Sequence, residues 1–287
     1  MFWYLVAIFS GFSFASADAI SKKASKYTSP LVLAWVREAY ALPFLLPILF
    51  FIDIPALNNI FWYAIMACTV LDFISTYLFM KAIKIAPLSL TVPYLGLTPI
   101  FSLLISYIIL GESVNLVGFF GIVLISIGAY TLRLDTRKYG WLAPFKNIFT
   151  NKGSLLMFFV ALIYAFTANF GKVAIQNSSA LFMAVVYFTL LALLYTPVVF
   201  YQTRAKPKKM IANSRIKLLI GLAMAFMALS HFTAISKINV AYMISMKRFS
   251  LLFAIIYGRL FFDETNIKER FLGGILIVAG AACIAFV

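Results

Sequence analysis

The sequence predicts an all-α membrane protein: ten transmembrane helices arranged as two inverted five-helix repeats. Hydrophobic residues make up 64% of the 287 residues and charged residues only 11%, whereas a soluble domain carries about 25% charged residues. The second half of the chain also repeats the first. A shift of 152 positions lays Ala82-Ile83 on Ala234-Ile235, Glu112 on Glu264, and Gly128-Ala129 on Gly280-Ala281.

The ten spans follow from continuous apolar runs along the chain. A bilayer-crossing helix needs about 20 apolar residues, and such runs exclude a β-barrel, whose strands alternate apolar and polar residues. The predicted spans are 2–20, 31–51, 60–80, 86–110, 115–132, 154–171, 180–201, 217–236, 240–262 and 267–286. The first repeat therefore covers 1–133, a basic linker covers 134–153, and the second repeat covers 154–287.

Polar residues and prolines mark several of the predicted helix ends. Pro87 suits the first turn of span four, and Asn239, at the matching place in the second half, can cap span nine. Ser113 and Thr265 are the expected N-caps of spans five and ten. These residues support the boundaries between spans three and four, four and five, eight and nine, and nine and ten.

Prolines and glycines inside the spans predict irregular or closely packed helices. Two prolines interrupt span four, where they either free carbonyl groups toward a cavity or kink the helix passively. Glycines seven residues apart lie on one face of spans five and ten, where a neighbouring backbone can approach closely. The prolines are Pro93 and Pro99, and the glycine pairs are Gly121 with Gly128 and Gly273 with Gly280.

Basic residues predict how the chain is oriented in the membrane. The net charge is +15, and 19 of the 24 Lys and Arg residues lie in connections after odd-numbered spans. Cytoplasmic connections carry an excess of Lys and Arg, so we expect a multi-pass protein of the plasma or inner membrane with both termini extracytoplasmic. The basic side is expected to contact anionic lipid headgroups rather than nucleic acid. Because each repeat has an odd number of spans, the two repeats must be inverted.

The repeated pattern resembles the drug/metabolite transporter superfamily, in its ten-span form with two EamA-type repeats. The likeness covers nearly the whole chain. Its residues are Ala82, Pro87-Leu88-Ser89, Pro93, Pro99, Gly111-Glu112, Gly121 and Gly128, then Ala234, Asn239-Val240-Ala241, Asp263-Glu264, Gly273 and Gly280. This resemblance implies an alternating-access carrier with a central cavity, for substrates that range from amino acids to sugar phosphates and nucleotide sugars. Many bacterial members are thought to have cytoplasmic termini, which differs from the orientation that the charges predict here.

Two adjacent cations inside span nine are the leading candidates for substrate binding. An ionised side chain within a span costs about 3 kcal/mol on insertion scales, and Lys247 and Arg248 lie seven and eight residues into the span. Together they could bind a phosphate or carboxylate, and the pair is similar to the Lys-Arg pair of sugar-phosphate translocators in the superfamily. The alternatives are structural ion pairs with Asp72 or Glu38, and extension of the side chains to the interface.

Four more ionisable residues lie inside predicted spans. Arg37 is a candidate for substrate binding, while Glu38 and Asp72 are candidates for counter-charges or for a proton-coupling site. His231, the single histidine, has an ordinary pKa of about 6.5 and could bind a coupled proton, although a structural hydrogen bond is the alternative. Asp18 is expected to pair with Lys22 one helical turn later.

Neutral polar residues complete the predicted site. Tyr94, Tyr164, Asn169 and Tyr242 could donate hydrogen bonds to a substrate, although packing explains each of them equally well. Glu112 and Glu264 end spans four and nine, and their repetition indicates a shared role in the fold, either capping the next helix or pairing with basic loop residues.

These residues predict a secondary carrier for a small polar or anionic metabolite. One alternative is an exporter of amino acids or amphipathic compounds whose intramembrane charges are structural. A second is a membrane enzyme acting on lipid-linked substrates, but the sequence lacks paired His or Cys ligands and a Gly-rich phosphate loop. We therefore expect no enzymatic activity, no cofactor, no metal site, and a monomer or homodimer.

Overall fold

The computed structural model describes residues 1–87, 91–132, 151–203, 214–262 and 271–287. Every regular element within these ranges is helical, as the sequence predicts. The predicted cap Thr265 and the repeated Glu264 lie outside the described residues.

The helices follow the order of the predicted spans. In the first half they are α1 (Phe2–Ala24), α2 (Pro30–Ala39), α3 (Leu42–Leu45), a 3₁₀ segment (Leu46–Phe50), α4 (Asn59–Ile85), a second 3₁₀ segment (Val92–Leu97), α5 (Thr98–Leu110) and α6 (Leu116–Thr131). In the second half they are α7 (Lys152–Gln176), α8 (Ala180–Gln202), α9 (Ser214–Lys237), α10 (Val240–Lys247), α11 (Ser250–Phe262) and α12 (Phe271–Ala285).

Eight helical stretches in the described ranges are long and apolar enough to cross a bilayer. They match predicted spans one to four and six to nine: Phe2–Ala24, Pro30–Phe50, Asn59–Ile85, Val92–Leu110, Lys152–Gln176, Ala180–Gln202, Ser214–Lys237 and Val240–Phe262. Spans five and ten correspond to shorter apolar helices, Leu116–Thr131 and Leu272–Ala285. At 1.5 Å per residue a 16-residue helix such as α6 extends about 24 Å, less than the roughly 30 Å of a hydrocarbon core.

The side chains predicted to cap α6 and α10 do not cap these helices. The side-chain oxygen of Asn115 accepts a hydrogen bond from the Gly118 amide at 2.8 Å and starts α6, so the predicted cap Ser113 is wrong by two residues. Asn239 makes no side-chain cap on α10; its amide donates to the Ser113 carbonyl at 2.9 Å instead. The prediction placed these helix ends correctly but chose the wrong side chains.

Spans four and nine are both broken, at equivalent positions. Span four is a 3₁₀ segment up to Leu97 that becomes α-helical at Thr98, next to Pro99. Span nine ends its first helix at Lys247 and resumes at Ser250, the position 152 residues after Thr98. The sequence predicts the first break from its prolines, but span nine has no proline and its break was not predicted.

The two halves pack together through equivalent pairs of helices. α1 lies along α9, and its counterpart α7 lies along α4. α6 packs on α12, where Gly121 faces the Gly280 backbone and Gly128 faces that of Gly273, with space for a Cβ atom only 2.5–2.8 Å from the facing carbonyl oxygens. Residue numbers rise along α6 as they fall along α12, so these equivalent helices run antiparallel.

Candidate functional site

A cavity of about 90 Å³ lies at the centre of the helix bundle. Both halves contribute to its wall, through α1, α2, α4, α7, α8, α9 and the break between α10 and α11. Its aromatic lining residues are Phe14, Tyr164, Tyr187, Phe188 and Phe232. Among the described residues, the charged lining side chains and the histidine belong to the set that the sequence singled out within the spans: Arg37, Glu38, Asp72, His231, Lys247 and Arg248. The fold therefore brings together ionisable groups from α2, α4, α9 and the break in span nine.

Arg37 is neutralised by a carboxylate behind the cavity wall. Its guanidinium donates to Asp18 Oδ1 at 2.7 Å, and each side chain is only 2% exposed. The rings of Phe14 and Phe79 lie 5.1 and 5.5 Å from the guanidinium carbon and add cation–π contacts. The predicted pairing of Asp18 with Lys22 is wrong, because the ammonium of Lys22 instead donates to backbone carbonyls at the end of α4.

Lys247 and Arg248 have no such counter-charge. Among the described residues neither forms an ion pair with a carboxylate. Lys247 Nζ lies 3.3 Å from His231 Nδ1 and 3.4 Å from the sulfur of Met227. The Arg248 Nε is buried without a hydrogen-bond partner. The cavity wall therefore presents two buried cations whose charges are not balanced by a direct contact.

These cations lie at the break because the backbone there leaves the helical path. Lys247 is the last residue of α10, and Arg248 follows it as the C-cap residue. Gly11 of α1 packs directly on this point, since a Cβ there would lie 2.5 Å from the Lys247 carbonyl oxygen. In the first half the equivalent positions are Leu95 and Gly96, so the site is asymmetric in its chemistry although the helix breaks match.

The carboxylates of the cavity differ in their hydrogen bonding. Asp72 accepts from Ser75 at 2.8 Å and from the hydroxyl of Tyr187 across the cavity. Glu38 is 2% exposed, and its Oε2 is buried without a hydrogen-bond partner. The sequence analysis did not select Tyr187 because a tyrosine in an apolar helix is one of 15 in the chain and carries no local signal.

Of the four neutral residues that the sequence suggested for substrate binding, Tyr164 lines this cavity, and the other three are not among the described residues that line it. Tyr94 is buried in the 3₁₀ segment of span four. The amide of Asn169 donates to the Ala165 carbonyl at 2.7 Å within its own helix. Tyr242 packs against Gly118, with its hydroxyl only 2.1 Å from where a Cβ would be. Their proposed contacts with a substrate stay predictions.

A polar network joins the two halves at one end of the bundle. Glu112 forms an ion pair with Lys172 and accepts from the Val240 amide at 2.7 Å, so it caps α10 of the other half and not the next helix. Lys172 also donates to the Ile238 carbonyl at 2.8 Å. Gly111, with φ of 66°, ends α5 in the left-handed conformation that turns the chain before Glu112. At this end of the bundle the two halves are thus joined by an ion pair and two hydrogen bonds to backbone groups.

The family model for the EamA-like transporter family matches residues 1–134 and again residues 151–286. The chain belongs to this family. The two matched segments contain the helices whose equivalence is described above. EamA-like proteins are membrane transporters, so this chain is a multi-pass membrane protein that transports small solutes.

The fold is shared with a solved structure. A chain titled "Crystal structure of protein" matches with a TM-score of 0.70 at 13% sequence identity, over 99% of this chain and 96% of that chain. A search of curated proteins finds no match. The structural likeness extends through both halves and describes the fold alone, so the substrate has to be argued from the residues of the cavity.

Proposed function

We propose that this EamA-like protein is a secondary active transporter for a small anionic metabolite, which binds in the central cavity. The observation that carries the proposal is the difference between the three buried cations of the cavity wall. Arg37 is paired with Asp18, whereas Lys247 and Arg248 have no carboxylate partner among the described residues. A buried charge is strongly disfavoured without a counter-charge, and a bound anion supplies one.

The pair suits a carboxylate or phosphate group. An ammonium donates from three positions, and a guanidinium can bind two oxygens at once. Arg248 lines the cavity, and its buried Nε has no hydrogen-bond partner. The aromatic rings around the cations, among them Phe14 and Tyr164, exclude water and strengthen the attraction. The cavity volume of about 90 Å³ favours a small metabolite over a large amphipathic compound.

The mechanism that we propose is alternating access between two inverted repeats. The antiparallel packing of α6 on α12 and the matching breaks at Thr98 and Ser250 support this arrangement. Transporters of this plan bind substrate at the repeat interface beside discontinuous helices, and Lys247 and Arg248 occupy such a place. The network of Glu112 and Lys172 closes one end and must separate when the cavity opens there.

The proposal also includes ten spans in the plasma or inner membrane. The basic connections would face the cytoplasm and contact anionic lipids, while the Glu112 end would face outward. On this orientation α6 and α12 are the short fifth and tenth spans. Their close packing through glycine faces supports a position inside the bilayer, where small residues drive helix association.

Counterflow in proteoliposomes tests this proposal. Vesicles loaded with an unlabelled anion should take up the same labelled anion for at least one member of a panel of inorganic phosphate, phosphoenolpyruvate, lactate, succinate and glutamate. Lys247→Ala and Arg248→Ala should each abolish this uptake while the protein stays folded in the membrane. Lys23→Ala, at the exposed end of α1, is the control that should behave as the wild type.

Two results would contradict the proposal. Wild-type vesicles without counterflow for any anion of the panel would exclude a carrier for these anions. Normal uptake kinetics in both Lys247→Ala and Arg248→Ala would remove the anion site from the break in span nine.

A further inference from the structure

The single histidine of the chain faces the cation pair. His231 lines the cavity from α9, and its Nδ1 lies 3.3 Å from Lys247 Nζ. A lysine ammonium has three donors and no acceptor. With Lys247 charged, Nδ1 accepts this hydrogen bond, and the imidazole is then neutral with its proton on Nε2. In this arrangement the Lys247 ammonium donates to Nδ1, the nitrogen at which His231 would bind a second proton.

Two conditions keep His231 neutral: the hydrogen bond that Lys247 donates to Nδ1 and the positive charge nearby. An anion in the cavity changes both. It attracts the Lys247 ammonium, which frees Nδ1, and it balances positive charge that opposes a further proton nearby. Two adjacent cations without an anion repel each other strongly in a cavity that excludes water. Binding of the anion and protonation of His231 therefore favour each other, and by thermodynamic reciprocity the proton equally favours the anion.

We propose that His231 is the proton site of a proton–anion symport. The inference rests on the proposed anion site at Lys247 and Arg248. The anion and one proton enter from the same side; the proton binds Nδ1 when Lys247 turns to the anion. After the cavity opens to the other side, the anion leaves, Lys247 returns to Nδ1, and the proton is released there to water. For a monovalent anion the cycle moves no net charge.

Other charged and titratable groups around His231 fit this coupling. Arg37 is already paired with Asp18, whereas Lys247 and Arg248 carry positive charge that no ion pair among the described residues compensates. The groups that face the cavity with His231 are Arg37 and Glu38 from α2, Cys68 and Asp72 from α4, Tyr164 from α7, Tyr187 from α8, and Lys247 with Arg248 at the break in span nine. α1 contributes Phe14, whose ring lies 4.9 Å from Lys247 Nζ, and Asp18 behind it. The carboxylates favour an imidazolium, and the two free cations oppose it until an anion is bound.

Transport driven by a pH gradient tests the inference with His231→Asn. The asparagine carbonyl can still accept from Lys247 but cannot bind a proton. The test uses the monovalent panel anion that gives the fastest counterflow. Wild-type vesicles with an alkaline interior should accumulate this anion about tenfold per pH unit. His231→Asn should lose this accumulation and retain counterflow at equal pH on both sides, a reaction that requires no net proton movement.

If His231→Asn does not fold, a spectroscopic measurement on the wild type tests whether His231 binds a proton together with the anion. Because the chain has one histidine, nitrogen-15 labelling of histidine yields imidazole signals from His231 alone. At one fixed pH the signals should report a neutral ring protonated on Nε2 without anion, and an imidazolium when the same panel anion is added. A ring that stays neutral with the anion bound would overturn the inference.

The failures of the two proposals are distinguishable. Two results would overturn the proton site while the anion carrier stands. One is a wild type that shows counterflow but does not accumulate the anion when a pH gradient is applied. The other is accumulation driven by a pH gradient that persists in His231→Asn. Absence of any wild-type counterflow would overturn the carrier itself, and the symport with it.

Discussion

At the scale of single residues, the described cations of the cavity separate into one that forms an ion pair and two that form none. Arg37 is held by Asp18 and by two aromatic rings. Lys247 contacts an imidazole and a thioether, and Arg248 keeps an unpartnered Nε. Burial alone does not distinguish them, since each of the three is at most 9% exposed. The contacts do.

This difference predicts opposite effects of two similar substitutions on stability. Arg37→Met leaves Asp18 buried without its partner, which costs about 3–5 kcal/mol, so the melting temperature in detergent should fall strongly. Arg248→Met removes a cation without a carboxylate partner, so the melting temperature should stay the same or rise while transport is lost. Thermal unfolding of both purified variants checks this. An equal fall in both would show that Arg248 is also a structural cation.

At the scale of elements, the break in span nine determines where the cations lie. α10 ends at Lys247, and α11 begins at Ser250. α1 reaches the break because Gly11 has no side chain: a Cβ would lie 2.5 Å from the Lys247 carbonyl oxygen and 3.1 Å from the Ser250 nitrogen. These are backbone atoms, so the contact cannot be relieved by turning a side chain. The position of α1 and the geometry of the cation pair are thereby linked.

Gly11→Ala should therefore impair both folding and transport. The added methyl group must push α1 away from the break, which lowers the melting temperature and displaces Lys247 from the cavity. Gly274→Ala is the matched control, because a Cβ there meets only Leu252 at 3.5 Å. Replacing a helical glycine without a clash stabilises a protein by about 0.4–1 kcal/mol. Melting temperature and counterflow of both variants check the prediction, and wild-type behaviour of Gly11→Ala would refute the link.

At the scale of the whole molecule, polar contacts join the two halves at the end of the bundle that contains Glu112. Glu112, Lys172 and Val240 form a connected network at one end. Asn58 and Asn177 add a hydrogen bond of 2.7 Å between the halves. In an alternating-access cycle these contacts break when the cavity opens at this end. Their strength then sets how much of the population is open there.

The cavity contains a native reporter of that opening. Cys68 lines the cavity and is buried. In a Cys283→Ala background, Glu112→Gln should accelerate labelling of Cys68 by a membrane-impermeant maleimide added outside intact cells. The glutamine carbonyl can still accept from Val240, but the ion pair with Lys172 is lost. Asp53→Asn, an exposed acid in another connection, is the control. An unchanged labelling rate in Glu112→Gln would show that the network does not hold this end closed.

The orientation of the molecule has a separate test. The bias of 19 among the 24 basic residues predicts that both termini lie outside the cytoplasm. A reporter that fluoresces only in the cytoplasm should stay dark when it is fused after Val287. A bright C-terminal fusion would reverse the orientation and place the Glu112 end inside.

Much of this protein could be predicted from the sequence because the decisive signals are local or periodic. Long apolar runs require helices in a bilayer, the 152-residue repeat predicts equivalent halves, and an ionised residue inside an apolar run is visible by itself. The six charged or titratable candidates that line the cavity were found in this way. Tyr94, Asn169 and Tyr242 carried no comparable signal, and they lie elsewhere among the described residues.

Only the tertiary structure decided which of these groups meet. Asp18 pairs with Arg37 19 residues away, Tyr187 reaches Asp72 across 115 residues, and Glu112 caps a helix that starts 128 residues later. Such partners depend on which helix faces pack together, and in nearly uniformly apolar helices the sequence marks these faces weakly. The sequence by itself therefore determined a helical membrane protein with charges inside its spans. Packing decided that Arg37 is neutralised by Asp18, while Lys247 and Arg248 have no carboxylate partner among the described residues.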